Sequence, residues 1–262
     1  MNLNLDNKVI IVSGGSKGIG LGIVDSLIKE NAIPFIIGRD EFSIKKVVNK
    51  YKSQNNEISY STAELSKPHE CEKAVRDAIN KYNRIDGIVN NAGDNDGVSL
   101  ENGNYKDFVS SLHKNLIHYY LIAHYSLKSL KKSKGVIINI GSKTSFTGQG
   151  GTSGYTASNG GRNSLTREWA VELLPYHIRV NSVIVAECYT PMYERWLKTQ
   201  KEPKSKLEKI NKRIPFQNRM TTVEEIADTV VFLLSEKSSH TTGQLIFIDG
   251  GYTHLDLSLI HI

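Results

Sequence analysis

Residues 8–20 read KVIIVSGGSKGIG: a short apolar run, Val9-Ile10-Ile11-Val12, passing into the glycine cluster Ser13-Gly14-Gly15-Ser16-Lys17-Gly18-Ile19-Gly20. An apolar run of this length that ends in glycine reads as a buried strand. Residues 18–30, GIGLGIVDSLIKE, then continue with helical spacing. Glycines allow the tight turn and let a pyrophosphate approach the backbone. The following helix N-terminus offers free N–H groups and the positive end of its dipole. Glycine triplets are common by chance. With a strand before and a helix after, this one reads as a nucleotide-binding loop rather than a plain turn.

Working outward, the alternation repeats. Strands are expected at 33–38, 57–62, 85–90, 135–140, 178–185 and 244–248, and helices at 41–52, 69–82, 104–131, 153–174 and 223–235. Short apolar strands alternating with helices specify an α/β fold with a parallel sheet covered on both faces. Right-handed crossovers make it a doubly wound Rossmann fold of about seven strands, with a ligand crevice at the strand C-termini. No linker, repeat or low-complexity stretch divides residues 1–262, so a single domain is expected. The least regular part, 186–213, is expected to cover the substrate.

Composition narrows the function classes. Hydrophobic residues make up 39% of 262, enough for a sizeable core. No apolar run is long enough to cross a membrane and the start, MNLNLDNK, carries no signal stretch, so a cytoplasmic protein is expected. Two cysteines, Cys71 and Cys188, form neither a disulfide framework nor a metal cluster. The net charge of +6 gathers at 128–134 and 198–213 without interleaved aromatics, which argues against nucleic-acid binding.

The end of the second strand bears on the cofactor. An acidic residue there would bind the ribose 2′-OH of NAD, whereas arginine accommodates the 2′-phosphate of NADP. The sequence has Arg39, followed by Asp40, which could cancel its effect; Lys17 could add a second cation. NADP is favoured, with NAD possible.

SGGSKGIG at 13–20, NNAG at 90–93, Asn115, Ser142 and Tyr155, in this order and spacing, resemble the short-chain dehydrogenase/reductase family. The likeness runs from about residue 5 to 252. It implies a tetrameric NAD(P)-dependent oxidoreductase. NLIHYYLIAHY (115–125), SKTSFTGQGGTSGY (142–155), LTREWAVEL (165–173), SHTTGQ (239–244) and DGGYTHLD (249–256) resemble its bacterial L-fucose dehydrogenase branch, whose members oxidise C1 of L-fucose and related sugars to a lactone. By this resemblance Tyr155 is the general acid/base, Ser142 binds the reacting oxygen, and Asn115 holds a water in a proton relay. Gly14, Ser16, Gly18 and Ile19 contact the pyrophosphate. Glu64 and Leu65 flank the adenine, Asn91, Ala92 and Gly93 line the ribose side, and Thr190 meets the nicotinamide amide. The family usually has Pro-Gly before that threonine, where this chain has Val185-Ala186.

One departure bears on catalysis. The family motif is tyrosine, three residues, then lysine; here the last position is Asn159. An isolated phenol has a pKa of about 10, leaving about 0.1% ionised at pH 7. A neighbouring cation shifts such a pKa by about 1–3 units, and asparagine supplies no charge. Turnover is therefore expected to suffer by roughly tenfold to a thousandfold while nucleotide binding survives better, and comparison with Asn159→Lys separates the explanations. Three explanations stand side by side: an inactivating substitution, natural or engineered; Lys143 supplying the cation; or a protein that binds nucleotide and sugar without turnover.

A polyol needs groups that both donate and accept. Asn95 and Asp96 after NNAG, Lys143, Gln149, Glu187 and Trp196 are the sugar-pocket candidates. His113, His118 and His124 have no carboxylate or cysteine at ligand spacing, so no metal is expected. The sequence is read as an NADP-preferring aldose 1-dehydrogenase, expected to be a homotetramer. The alternatives are a 3-oxoacyl-type carbonyl reductase and a non-catalytic nucleotide- or sugar-binding protein.

Overall fold

The computed structural model describes residues 2–255. Seven parallel strands form one sheet in the order β3-β2-β1-β4-β5-β6-β7. They are β1 (Val9–Ser13), β2 (Ile33–Gly38), β3 (Ser59–Thr62), β4 (Gly87–Asn90), β5 (Val136–Ser142), β6 (Arg179–Val185) and β7 (Leu245–Ile248). Strand order reverses between β1 and β4, which opens a crevice beyond their C-terminal ends.

Helices α1 (Gly18–Lys29), α2 (Glu41–Lys52), α3 (Pro68–Tyr82), α4 (Tyr105–Leu112), α5 (His118–Ser133), α6 (Thr144–Thr147), α7 (Ser153–Glu172), α8 (Pro191–Lys198), α9 (Pro203–Asn211) and α10 (Val223–Leu234) complete the fold. The period-2 pleat sends alternate strand residues to two separate cores. Ile10, Val12, Ile36 and Val183 pack with Ile23, Val24 and Leu27 of α1 and Ile226 and Val230 of α10. Ile11, Phe35, Ile37 and Val180 pack with Ala74 and Val75 of α3, Tyr119 and Ile122 of α5 and Trp169 of α7. Gly22 permits the close approach of α1 to α10: a Cβ there would lie 2.1 Å from Val223 Cγ1.

Two expectations need correction. Residues 104–131 are not one regular helix; a π-helical turn, His113–Ile117, separates α4 from α5 and carries Asn115. Such a turn adds a residue and rotates the helix beyond it. The segment 186–213 is mostly helical, as α8 and α9, each opening on a proline in its first turn. Proline suits that position because its missing N–H has no intrahelical partner there.

Candidate active site

The glycine loop connects β1 to α1. Gly14 and Gly18 adopt φ of +69° and +53°, where a side chain is strained. A Cβ at Gly20 would lie 2.2 Å from the Gly14 carbonyl oxygen. No side chain caps α1, so its first N–H groups remain available for an anion. Ser13 Oγ accepts the N–H groups of Asn91 and Ala92 at 2.9 and 3.0 Å, and Asn91 Nδ2 donates to Ser13 O at 2.9 Å. These bonds lock the end of β1 to the segment leaving β4 and fix the crevice walls.

The crevice is a cavity of about 500 Å³, and every nucleotide-binding candidate from Gly14 to Thr190 lines it. Thr190 caps α8, accepting from Tyr193 N at 3.2 Å, and faces Gly18, so the unusual Val185-Ala186 approach still delivers it. The glycine cradle, the uncapped helix start and the length of the crevice fit a dinucleotide. The end of the crevice beside Arg39 is charge-compensated. Lys17 Nζ lies 2.6 Å from Asp40 Oδ2, and Arg39 lies 3.6 Å from Glu64 Oε2. The Lys17 and Ser43 hydrogen bonds hold the Asp40 carboxyl well below the usual range.

Ser142 ends β5 and Tyr155 stands in the first turn of α7; both line the same cavity. Ser142 Oγ accepts from the Thr144 hydroxyl at 3.2 Å and the Thr144 N–H at 3.3 Å, leaving its own proton for a ligand oxygen. Asn159 is fully buried behind Tyr155, and its Nδ2 donates to Tyr155 O at 2.9 Å. Asn115 is also fully buried. Its Oδ1 accepts from Asp94 N at 2.8 Å, and its Nδ2 donates to Asp94 O and Ser111 O at 2.9 and 3.1 Å.

The sugar-pocket candidates do not line the crevice. Asn95 and Gln149 are exposed. Asp96 lines a separate cavity of about 200 Å³ together with Lys114. Lys143 is buried in an ion pair with Glu187, and its Nζ sits 3.7 Å over the Tyr252 ring, so it is not free to replace a cation beside Tyr155. Trp196 packs edge-on against Tyr193 at 5.2 Å.

Sequence reasoning did not place Arg162, His118 or Tyr193 in the site, where the structure has all three lining the cavity. Burial first, and then the Arg162 charge, holds the His118 imidazole down at about 3, so it is neutral near pH 7. Burial and then Glu187 push the Tyr193 phenol upward. Arg162 could have been found: it lies three residues after Asn159 and seven after Tyr155, on the same helical face. Among the described residues no three His, Cys, Asp or Glu side chains converge to hold a metal, and no helix is long and apolar enough to cross a membrane.

A family model described as enoyl-(acyl carrier protein) reductase matches residues 14–253. The chain belongs to the short-chain dehydrogenase/reductase family. This short-chain dehydrogenase is therefore an oxidoreductase, and its homologues in the family use NAD(P)H. It is similar to a 3-oxoacyl-(acyl-carrier-protein) reductase of Chlamydia pneumoniae, 32% identical over 97% of this chain and 100% of the relative. It is similar to L-fucose dehydrogenase of Bos taurus, 29% identical over 96% of this chain and 91% of the relative. Among solved structures it matches the Cj0485 dehydrogenase with 42% identity, a TM-score of 0.94 and all of both chains covered.

Proposed function

We propose that this short-chain dehydrogenase oxidises C1 of L-fucose or a related aldose to the lactone, preferring NADP and accepting NAD. The supporting observation is the polar lining beside the reacting pair, where Asp94, Lys114, Arg162 and Tyr193 border the cavity. The Lys143–Glu187 pair does not itself line the cavity but borders Tyr193, which does. Such a wall suits a polyol better than an acyl chain, because buried charged groups require hydrogen-bonding partners. The L-fucose dehydrogenase relative supports the same class.

The bound nicotinamide supplies the hydride acceptor. Tyr155 takes the C1 hydroxyl proton, and Ser142 donates to the oxygen as charge develops on it. The C1 hydrogen leaves as hydride, and the C1–O single bond becomes a carbonyl. Gly14, Ser16, Gly18 and Ile19 hold the pyrophosphate, and Thr190 the amide end. We further place the enzyme in the cytoplasm as a homotetramer built through α4, α5 and α7, where Tyr105, Tyr120 and Val171 are exposed.

The second reading, a 3-oxoacyl reductase, is supported by the equally extensive Chlamydia relative. One paired assay separates them: NADP+ reduction with L-fucose, and NADPH oxidation with an acetoacetyl thioester. Turnover of the sugar alone supports the dehydrogenase, and turnover of the thioester alone overturns it. Nucleotide binding with neither turnover leaves the non-catalytic reading.

A further inference from the structure

Arg162 is an unusual residue for its position. It is 3% exposed, and no carboxylate pairs with it among the described residues. Its Nε donates to Asn115 O at 2.6 Å, and its Nη1 donates to Ile140 O and Asn159 Oδ1, each at 3.0 Å. The guanidinium stacks over Tyr119 at 4.3 Å and lies 6.0 Å from the centre of the Tyr155 ring. The remaining nitrogen, Nη2, is buried without a partner among the described residues. It faces the crevice wall at Gly93, where a Cβ would lie 3.1 Å away, and Arg162 lines the cavity. A buried charge and a buried donor without a partner are both costly, and both concentrate at functional sites.

We propose that Arg162 is the active-site cation of this enzyme, doing the work that a lysine at position 159 does elsewhere in the family. This rests on the dehydrogenase reading above. Nη2 donates to a hydroxyl oxygen of the nucleotide's nicotinamide-side ribose at the Gly93 wall. The guanidinium charge stabilises the Tyr155 oxygen when the proton is off it. Asn159 is a positioning residue: its amide accepts from Arg162 and donates to the Tyr155 carbonyl, joining the two through one helical turn. The weak turnover expected from an uncharged residue 159 is then offset, because the charge has moved three residues along the helix. His118 and Tyr119 from α5 and Tyr155 from α7 are the titratable groups facing the guanidinium. Burial keeps the first neutral and pushes the Tyr119 phenol up to about 12, so Arg162 is the fixed charge there.

The test uses Arg162→Met, Arg162→Lys and the double variant Asn159→Lys/Arg162→Met in the full chain. The readouts are kcat for aldose oxidation, its pH profile, NADPH affinity by fluorescence titration, and thermal melting. Arg162→Met should lower kcat by roughly tenfold to a thousandfold, move the acid limb of the profile to higher pH, and weaken NADPH by about tenfold. Arg162→Lys should keep the acid limb nearer the parent. The double variant should regain at least about tenfold in kcat and part of the NADPH affinity over Arg162→Met, because the lysine returns one charge to the same face. Two results overturn the proposal: a folded Arg162→Met with parental kcat and NADPH affinity, or a folded double variant no better than Arg162→Met. The latter would mean that the guanidinium only ties down the Asn115 and Ile140 carbonyls. If the parent oxidises no aldose, the substrate reading fails by itself, and NADPH affinity across the same variants still decides the role of Arg162.

Discussion

The most discriminating perturbation is Asn159→Lys, because two lines of reasoning predict opposite outcomes. The motif alone expects a gain in turnover from restoring the lysine. The structure predicts a loss. Asn159 is fully buried, and its Oδ1 lies 3.0 Å from Arg162 Nη1. A lysine ammonium held about 4 Å from the guanidinium meets a repulsion of about 4 kcal/mol at an effective dielectric near 20. Losing the charge-assisted bond adds about 1.5–3 kcal/mol. For a chain of this size each kcal/mol lowers the melting temperature by about 2–4 °C, so the repulsion alone predicts a drop of roughly 8–16 °C. The pH dependence provides the check. A lysine beside a fixed cation has its folded pKa depressed below about 10.4, so the penalty is full at neutral pH and fades as pH rises toward 10. The assay is a calorimetric melt of parent and variant at pH 7 and pH 9.5, with kcat measured alongside. A variant that melts within about 2 °C of the parent at pH 7 and turns over faster would refute the claim that a fixed buried charge already occupies this face.

Three further outcomes are expected. Gly93→Ala places a Cβ 2.9 Å from Asn115 Oδ1 and 3.1 Å from Arg162 Nη2, and should weaken NADPH binding by about tenfold or more in a fluorescence titration while the fold persists. His118 is buried neutral with its pKa held at about 3, whereas the unfolded chain takes up that proton below about 6.5. Stability should therefore fall as pH drops from about 6.5 toward 3, by about 2 kcal/mol at pH 5, and His118→Gln should remove that part of the slope in urea denaturation. Asp40→Asn keeps the α2 cap but releases Lys17 from its ion pair, and should raise the NADP+ to NAD+ preference in kcat/KM by about fivefold.

The fold was legible because each strand carries its own signal: β1 and β2 are continuous apolar runs, β5 and β6 are mostly apolar runs broken by Asn139 and by Asn181-Ser182, and the glycine loop states where the first of them ends. The two misread regions lack such a signal. A π turn at His113–Ile117 differs from regular helix by one inserted residue and leaves the apolar spacing on either side intact. In segment 191–213 Met192, Tyr193, Trp196 and Leu197 do fall at helical spacing and Pro191 and Pro203 mark the helix starts, but α8 and α9 are short and set among polar residues, so the stripe is brief. The nucleotide-site candidates come together on one cavity for the same local reason. They belong to loops leaving consecutive strands, and topology alone gathers them. The sugar candidates do not join them, because proximity in sequence to Ser142 or to NNAG says nothing about direction: Lys143 follows Ser142 yet turns to Glu187, and Asp96 opens onto a different cavity.

The charge beside Tyr155 shows where reading by motif position stops. A motif assigns a role to a position, whereas the chemistry requires only that a charge reach a given place. Positions 155, 159 and 162 share one face of α7, so a cation can sit at either of the latter two and still stand beside the tyrosine. What decides whether it can be tolerated there is the set of acceptors around it. For Arg162 these are the Asn115 and Ile140 carbonyls and the Asn159 amide, two of them backbone atoms on other elements. The π turn bears on this arrangement, because it holds Asn115, whose carbonyl accepts from Nε. Asparagine at 159 is then not an empty position in the motif. It is the uncharged acceptor that a neighbouring guanidinium requires, and a second cation in its place would leave that guanidinium one partner short.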